Sequence, residues 1–278
     1  MGRLGTYASF VKIEHTIFSL PLIYAGTLLY THTWPGWRVL ILVTLAAIGG
    51  RVVAMGLNRL IDHAIDARNP RTKGRELPRG AMRRSEAWVL VGLGSLVYCA
   101  SAWAIDPFCL ALTPIPVALF VLYPYLKRFT VLAHLGLGLA WSMGPLAGWV
   151  AASRSFADVG EIGWLWLFSL LWVAGFDIIY ATMDAAFDRE AGLHSLPASL
   201  GKRPALGFAG LLHVLAFLCL YLLWRQELGT PLSFIGLISV GALLVWQHLV
   251  ADKRPEFAFF KLNGILGFLV LGMVLAGI

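Results

Sequence analysis

The amino-acid sequence predicts an all-α, polytopic membrane protein. Of its 278 residues, 59% are hydrophobic and 13% charged, against about 25% charged in an average soluble domain. The apolar residues gather into nine stretches, each close to the roughly 20 residues that cross a bilayer. The basic residues, finally, fall almost entirely in alternate connections between those stretches.

Taken in order, the first stretch covers 15–31 and the second 37–61, with Trp34 and Trp37 as interface candidates beside it. The third covers 85–105 and the fourth 108–126. Pro107, Pro114, Pro116 and Pro124 are positions where a span kinks or ends. The fifth, 131–151, holds Pro145 and the pair Gly144 and Gly148, whose spacing lets helices approach closely. The sixth covers 163–183, the seventh 204–224 with Trp224 at its end, the eighth 232–250 and the ninth 257–277. Little chain is left over, so the expectation is a single transmembrane domain, 1–278. The approach to the first stretch is interrupted by Glu14 and His15, unlike a signal peptide. Met1-Gly2-Arg3-Leu4-Gly5-Thr6 fits a myristoylation pattern, for which a nine-span protein has no use. Cys99, Cys109 and Cys219 all lie in apolar stretches and read as small buried hydrophobes, not as a disulfide framework or zinc site.

Nine spans sort the connections into two sets. One holds Arg3, Lys12, Arg68, Arg71, Lys73, Arg75, Arg79, Arg83, Arg84, Lys127, Arg128, Arg189, Lys202, Arg203, Lys253, Arg254 and Lys261, seventeen basic residues. The other holds only Arg38, Arg154 and Arg225. The positive-inside rule then puts the N-terminus and the basic set in the cytoplasm and the C-terminus outside. The net charge of +7 is thereby used in orienting the chain, and no nucleic-acid partner is expected.

Two acidic clusters interrupt this pattern. Asn58, Asp62 and Asp66 close the second stretch at a spacing of four, which advances about 40° per step and keeps them on one helix face. Arg51, seven residues earlier, shares that face. Asp177, Asp184 and Asp188 close the sixth stretch and again share a face. Four spans separate the clusters, so both end on the basic side. An ionised Asp at mid-membrane costs roughly 2.5–3.5 kcal/mol, and converging carboxylates repel one another. A divalent metal relieves both costs. Carboxylate and amide oxygens are hard ligands that suit Mg²⁺, which commonly bridges carboxylates to substrate phosphates. Such a metal neutralises the charge on a departing diphosphate, and nearby Lys and Arg share that work. Two plainer readings stand beside this one: helix ends paired with the nearby arginines, and the ion path of a transporter. After each cluster the chain runs through a polar stretch to Leu-Pro and a Gly, at Leu77-Pro78 with Gly80 and at Leu196-Pro197 with Gly201. This suggests two half-repeats, about 10–130 and 131–250.

These residues resemble the UbiA superfamily of intramembrane prenyltransferases. The likeness runs through Asn58xxxAsp62xxxAsp66, Arg71-Thr72, Arg75xLeu77-Pro78, Tyr123-Pro124-Tyr125-Leu126-Lys127-Arg128-Phe129-Thr130, Trp141-Ser142 and Asp177xxTyr180xxxAsp184xxxAsp188. The Tyr123–Arg128 block is most similar to the 4-hydroxybenzoate polyprenyltransferase branch. The opening, Phe10-Val11-Lys12-Ile13-Glu14-His15-Thr16, is similar to a sub-branch that also holds enzymes acting on a dihydroxynaphthoate. The resemblance implies nine helices around a central cavity with a cytoplasmic cap, and a polyprenyl diphosphate bound through Mg²⁺ with an apolar tunnel for its chain. It implies an aromatic acceptor, 4-hydroxybenzoate first. A dihydroxynaphthoate or a glycerol phosphate lipid stands as the alternative. Asn58, Asp62, Asp66, Asp184 and Asp188 become metal ligands, direct or through water, and with Asp177 they make up the catalytic set. Arg51, Arg71, Arg75, Lys127 and Arg128 become partners of the diphosphate or of an aromatic carboxylate. Asp177 and Tyr180 orient those cations or the acceptor, and Ser142 either bonds the acceptor or packs. The pattern departs from many relatives at Arg59, where they carry Asp. Arg59 points off the ligand face, with a phosphate contact as its remaining use.

Overall fold

The computed structural model describes residues 2–12 and 16–278, with the side chains of residues 17 and 18 outside the description. Met1 of the myristoylation pattern and Ile13, Glu14 and His15 of the opening motif also lie outside the described residues. Every regular element among the described residues is helical. Physically this follows from the solvent: with no water to satisfy backbone groups, a spanning segment must close its own hydrogen bonds.

A short helix α1 (Arg3–Val11) precedes α2 (Thr16–Thr31) and α3 (Trp37–Ile61). A six-residue α4 (His63–Arg68) and a loop lead to α5 (Arg84–Ile105). The fourth stretch is broken into α6 (Pro107–Leu112) and α7 (Pro114–Leu126), because Pro107 and Pro114 each open a helix instead of continuing one. Asp106 sharpens the turn into α6 by accepting the Phe108 N–H at 2.8 Å, a side-chain cap. Then follow α8 (Ala133–Ser153), α9 (Gly163–Ala181), the short α10 (Ala185–Glu190) and α11 (Leu196–Leu200), and α12 (Lys202–Leu223). A π-turn, Trp224–Leu228, joins α12 to α13 (Pro231–Ala251). The chain ends with α14 (Pro255–Phe257), a second π-turn (Ala258–Leu262) and α15 (Asn263–Leu275).

Eight described helices are long and apolar enough to cross a membrane, which corrects the expected count of nine. The segment that falls short is α2. Its 16 described residues span about 24 Å at 1.5 Å per residue, less than the roughly 30 Å hydrocarbon core. It nevertheless packs at the heart of the bundle. A Cβ on Gly26 would stand 2.0 Å from the Pro145 carbonyl oxygen, and one on Gly148 2.0 Å from the Ile23 carbonyl oxygen. The α2–α8 crossing is therefore a backbone-to-backbone contact, fastened by Thr27, whose hydroxyl donates to Gly148 O at 3.1 Å.

The outer surface stays apolar, with Leu96, Trp103, Val214, Ile235, Val245 and Leu249 exposed. Exposed apolar area on this scale suits lipid contact. Inside, α2, α8, α9, α12, α13 and α15 share one packed core around Trp149, Phe168 and Trp172. The helices α2, α3 and α5–α8 instead enclose a cavity of about 240 Å³. Its walls explain it: Ala46, Ala47, Gly50, Ala54, Gly144 and Ala147 face inward there, where the packed side carries large aromatic side chains. The basic segments gather at one end of the bundle. There Tyr7 bonds Glu86 at 2.9 Å, Lys127 reaches Asp62, Arg71 reaches Asp184 and Lys202 reaches Asp252.

Gly148→Ala is expected to force α2 and α8 apart and to destabilise the fold by about 1–3 kcal/mol, the usual scale of overpacking. Thermal unfolding of the purified protein in detergent measures it. An unchanged midpoint would mean that this crossing does not limit stability.

Candidate active site

Both acidic clusters sit where a spanning helix breaks and a six-residue helix begins. α3 stops at Ile61, Asp62 takes φ −89° and ψ 2°, and α4 restarts at His63. α9 stops at Ala181, and after a short turn Asp184 takes φ −103° and ψ 0° in front of α10. In each case the next acid lies one turn further on: Asp66 N donates to Asp62 O and Asp188 N to Asp184 O, both at 2.8 Å. The two turns repeat one another's geometry. The clusters thus lie on broken helix ends.

The loop after α4 joins the two turns. Asn69 accepts the Arg71 N–H through its side-chain oxygen at 2.9 Å and gives its amide N–H to Asp184 Oδ1 at 2.8 Å. Arg71 grips the same carboxylate with Nε at 2.8 Å and with Nη2, a bidentate pair, while its Nη1 donates to the Tyr180 hydroxyl at 2.5 Å. The loop is pinned below by Glu76, which receives Arg59 Nη1 at 2.6 Å and the Ser9 hydroxyl at 2.7 Å. Arg59 is 4% exposed and lies over the Phe10 ring. The phosphate contact considered for it finds no support at this position. Its charge is paired with Glu76.

Each carboxylate has a basic or hydroxyl partner nearby. Lys127 Nζ stands 2.5 Å from Asp62 Oδ2, and Arg128 Nη2 stands 3.6 Å from Oδ1 while donating to Ile61 O at 2.9 Å. Arg75 Nη1 meets both oxygens of Asp66, at 2.8 and 2.9 Å. Asp177 Oδ2 is 2.7 Å from His134 Nδ1, and His134 Nε2 accepts the Leu196 N–H at 3.3 Å. That bond leaves Nδ1 as the donor, so a neutral His134 is held in one tautomer. Burial pushes the Asp62 carboxyl above its ordinary range, with Lys127 pulling the other way. Burial also raises Asp188, against the Ser195 hydroxyl. Burial pulls the Arg71 guanidinium down, but its bonds to Asp184 and Tyr180 outweigh that and hold it above its usual value.

This arrangement alters the expected metal cluster. Asn58, Asp62, Asp66, Asp184 and Asp188 do not converge on one point, and no group of three or more His, Cys, Asp or Glu among the described residues is set to hold a metal. Cations from two segments, the loop after α4 and the end of α7, pair with the acids, because like charges at a membrane boundary must be neutralised. The donor set still fits Mg²⁺. All five residues offer hard oxygens, and Asp62 Oδ1 is buried without a hydrogen bond. Asn58 lies alongside, its amide 3.4 Å from Asp62 Oδ2.

The other expected residues divide. Arg51 lines the apolar cavity, its guanidinium 5.6 Å from the centroid of Trp141. Ser142 is fully buried, bonds Leu139 O in its own helix at 2.9 Å and is not among the cavity-lining residues. Its use as an acceptor contact is not carried by this position. Four contributors were not anticipated: Asn69, Glu76, His134 and Phe259, which stacks on Tyr180 at 4.1 Å. Asn69-Pro70 is a readable turn signal. The partners of the other three lie 17 to 79 residues away along the chain, and no local pattern announces them.

Fold and site together define an integral, multi-pass membrane protein with a two-part polar site at one end of the bundle and an apolar cavity among the spans of its first half. The UbiA prenyltransferase family matches residues 19–273. The chain belongs to this family and is a prenyltransferase. A 4-hydroxybenzoate octaprenyltransferase from Vibrio campbellii is 27% identical, over 99% of this chain and 98% of its own length. One from Shewanella denitrificans is 28% identical, over 98% and 94%. Among solved structures, a UbiA homolog from Aeropyrum pernix K1 in its apo form is 35% identical, with a TM-score of 0.86 over 93% of this chain and 96% of that one. A UbiA homolog from Archaeoglobus fulgidus bound to GPP and Mg²⁺ shares the fold, with a TM-score of 0.72 at 17% identity over 98% and 100%.

Arg59→Met leaves Glu76 charged and buried, and is expected to destabilise the protein by about 3–5 kcal/mol. The double variant Arg59→Met/Glu76→Leu is expected to regain most of that. Unfolding midpoints of the two variants test the pair, and equal losses in both would show that Glu76 needs no counter-charge.

Proposed function

We propose that the protein transfers a polyprenyl group from its diphosphate to an aromatic acceptor, with 4-hydroxybenzoate as the first choice, in a Mg²⁺-dependent reaction. The observation that carries this reading is the tie between the two aspartate turns, Asn69 and Arg71 on Asp184. It brings the acids of both turns and at least three cations to one end of a bundle that holds an apolar cavity. The names of the curated relatives support the acceptor class, and the Archaeoglobus homolog's ligands support the metal and the diphosphate.

Asn58, Asp62, Asp66, Asp184 and Asp188 would hold Mg²⁺, which when bound supplies charge neutralisation to the diphosphate as it leaves. Lys127, Arg71 and Arg75 sit on those same carboxylates. In this reading they turn from carboxylate to diphosphate oxygens as substrate and metal arrive, so the site trades one set of ion pairs for another. Arginine suits that exchange because its fork matches phosphate as well as carboxylate. The prenyl chain runs into the apolar cavity. Arg51, charged and set in its wall beside Trp141, faces the acceptor's carboxylate. The ring carbon ortho to the acceptor hydroxyl attacks the allylic carbon as the C–O bond to diphosphate breaks, and the ring then loses its proton. By the positive-inside rule the site and the N-terminus face the cytoplasm.

Membranes carrying the protein, supplied with Mg²⁺, geranyl diphosphate and 4-hydroxybenzoate, are expected to form the prenylated acid. Chelation should abolish product. Asp62→Ala and Asp184→Ala should each cut the rate by more than about a hundredfold, on the scale of losing a central electrostatic group. Product that survives chelation would overturn the metal's role. A panel of acceptors settles the ring: turnover on a dihydroxynaphthoate or a glycerol phosphate lipid in place of 4-hydroxybenzoate reassigns the acceptor, and ion flux without product overturns the whole reading.

A further inference from the structure

The last membrane segment is interrupted by a π-turn, Ala258–Leu262, between α14 and α15. Such turns add a residue to the helical ladder, disturb its carbonyls and concentrate at functional sites. Here buried side chains hold the turn open. Gln247 Nε2 donates to Ala258 O at 3.3 Å, and Asn263 Nδ2 donates to Phe259 O at 2.9 Å. Asn263 Oδ1 in turn accepts from Trp172 Nε1 and from Gln247 Nε2, both at 3.1 Å. Asn263 is 3% exposed, Gln247 1% and Trp172 0%. Amides buried this deeply cost free energy unless bonded, and apolar residues would pack the same space. The network serves the turn.

The turn presents Phe259. Its ring lies against Tyr180 at 4.1 Å between centroids and 29° between planes. The Tyr180 hydroxyl accepts from Arg71, whose guanidinium also stands 4.7 Å from the Tyr180 centroid. Arg71 grips Asp184. A continuous set of contacts therefore runs from the buried network through Phe259 and Tyr180 to the cation that joins the two aspartate turns.

We infer that Phe259 is a positioning residue for diphosphate recognition, holding Tyr180 and through it Arg71 at the junction of the two turns. This rests on the reading of Arg71 as a diphosphate ligand. Phe259 reaches Arg71 through Tyr180, on which both lie. Its effect should thus fall on the donor substrate and leave the acceptor alone. An aromatic that merely packs would shift stability and leave both Michaelis constants in place.

The test uses the full-length purified protein. Binding of Mg²⁺ with inorganic diphosphate is measured by calorimetry, alongside KM for geranyl diphosphate and for the acceptor. Phe259→Leu is expected to weaken diphosphate binding and raise the donor KM by about tenfold, the upper worth of an aromatic pair. The acceptor KM should stay within about twofold. Phe259→Tyr, which keeps the ring face, should restore wild-type values. If Phe259→Leu does not fold, Phe259→Met keeps the volume without the ring and carries the same expectation. Wild-type binding in the Leu or Met variant, or equal rises in both KM values, overturns the inference alone. Failure of the wild-type protein itself to bind Mg²⁺ with diphosphate overturns the functional reading, and the inference with it.

Discussion

Asp184 is held by Asn69 and Arg71, residues more than a hundred positions earlier in the chain, and much else in the molecule answers to that contact. Two helices that end in acids can share one site only if the loop of one reaches the turn of the other. A bidentate guanidinium does this with direction as well as charge. The loop that carries Arg71 must then be rigid, and the buried Arg59–Glu76 pair with Ser9 supplies that rigidity from beneath. Tyr180 and Phe259 set Arg71 from the other side. The residue that departs from the usual family pattern, Arg59, is therefore structural. It anchors the loop that makes the site two-sided.

The bundle divides its labour by side-chain size. Where Trp149, Phe168 and Trp172 meet, six helices interlock in one packed core. Where alanines and glycines face one another across α3 and α8, the same helical framework leaves a cavity of about 240 Å³. Close packing on one side fixes the helices firmly enough for the other side to stay open. The α2–α8 crossing lies at the border of the two regions, and its glycine contacts let α2 thread the middle of the bundle.

Charge follows the same logic. Acids at a membrane boundary are costly, and here basic partners from the loop after α4 and from the end of α7 meet three of them. The ion pairs are also a store of cations placed where an anionic substrate would need them. In the proposed reading, neutralising the carboxylates and recognising a diphosphate call on the same arginines and lysine, so a plain pairing of helix ends and a phosphate site would be two states of one constellation.

Much of this was legible in the sequence, because membrane burial imposes rules that act locally. Apolar run length determined the helical class and nearly all the spans. The distribution of Lys and Arg grouped the segments that meet at the site end, and i, i+4 spacing singled out Asp62, Asp66, Asp184 and Asp188. What the sequence could not determine was which charge meets which. The partner of Asp177 is His134, and that of Arg59 is Glu76. Phe259 reaches Tyr180 from the last membrane segment. Nor could spacing show that the helices break at Asp62 and Asp184, or that Ser142 turns back into its own helix. Run length and periodicity report how each residue meets lipid or its own helix. Side-chain pairing depends on how helices cross, and only the packed tertiary structure decides that.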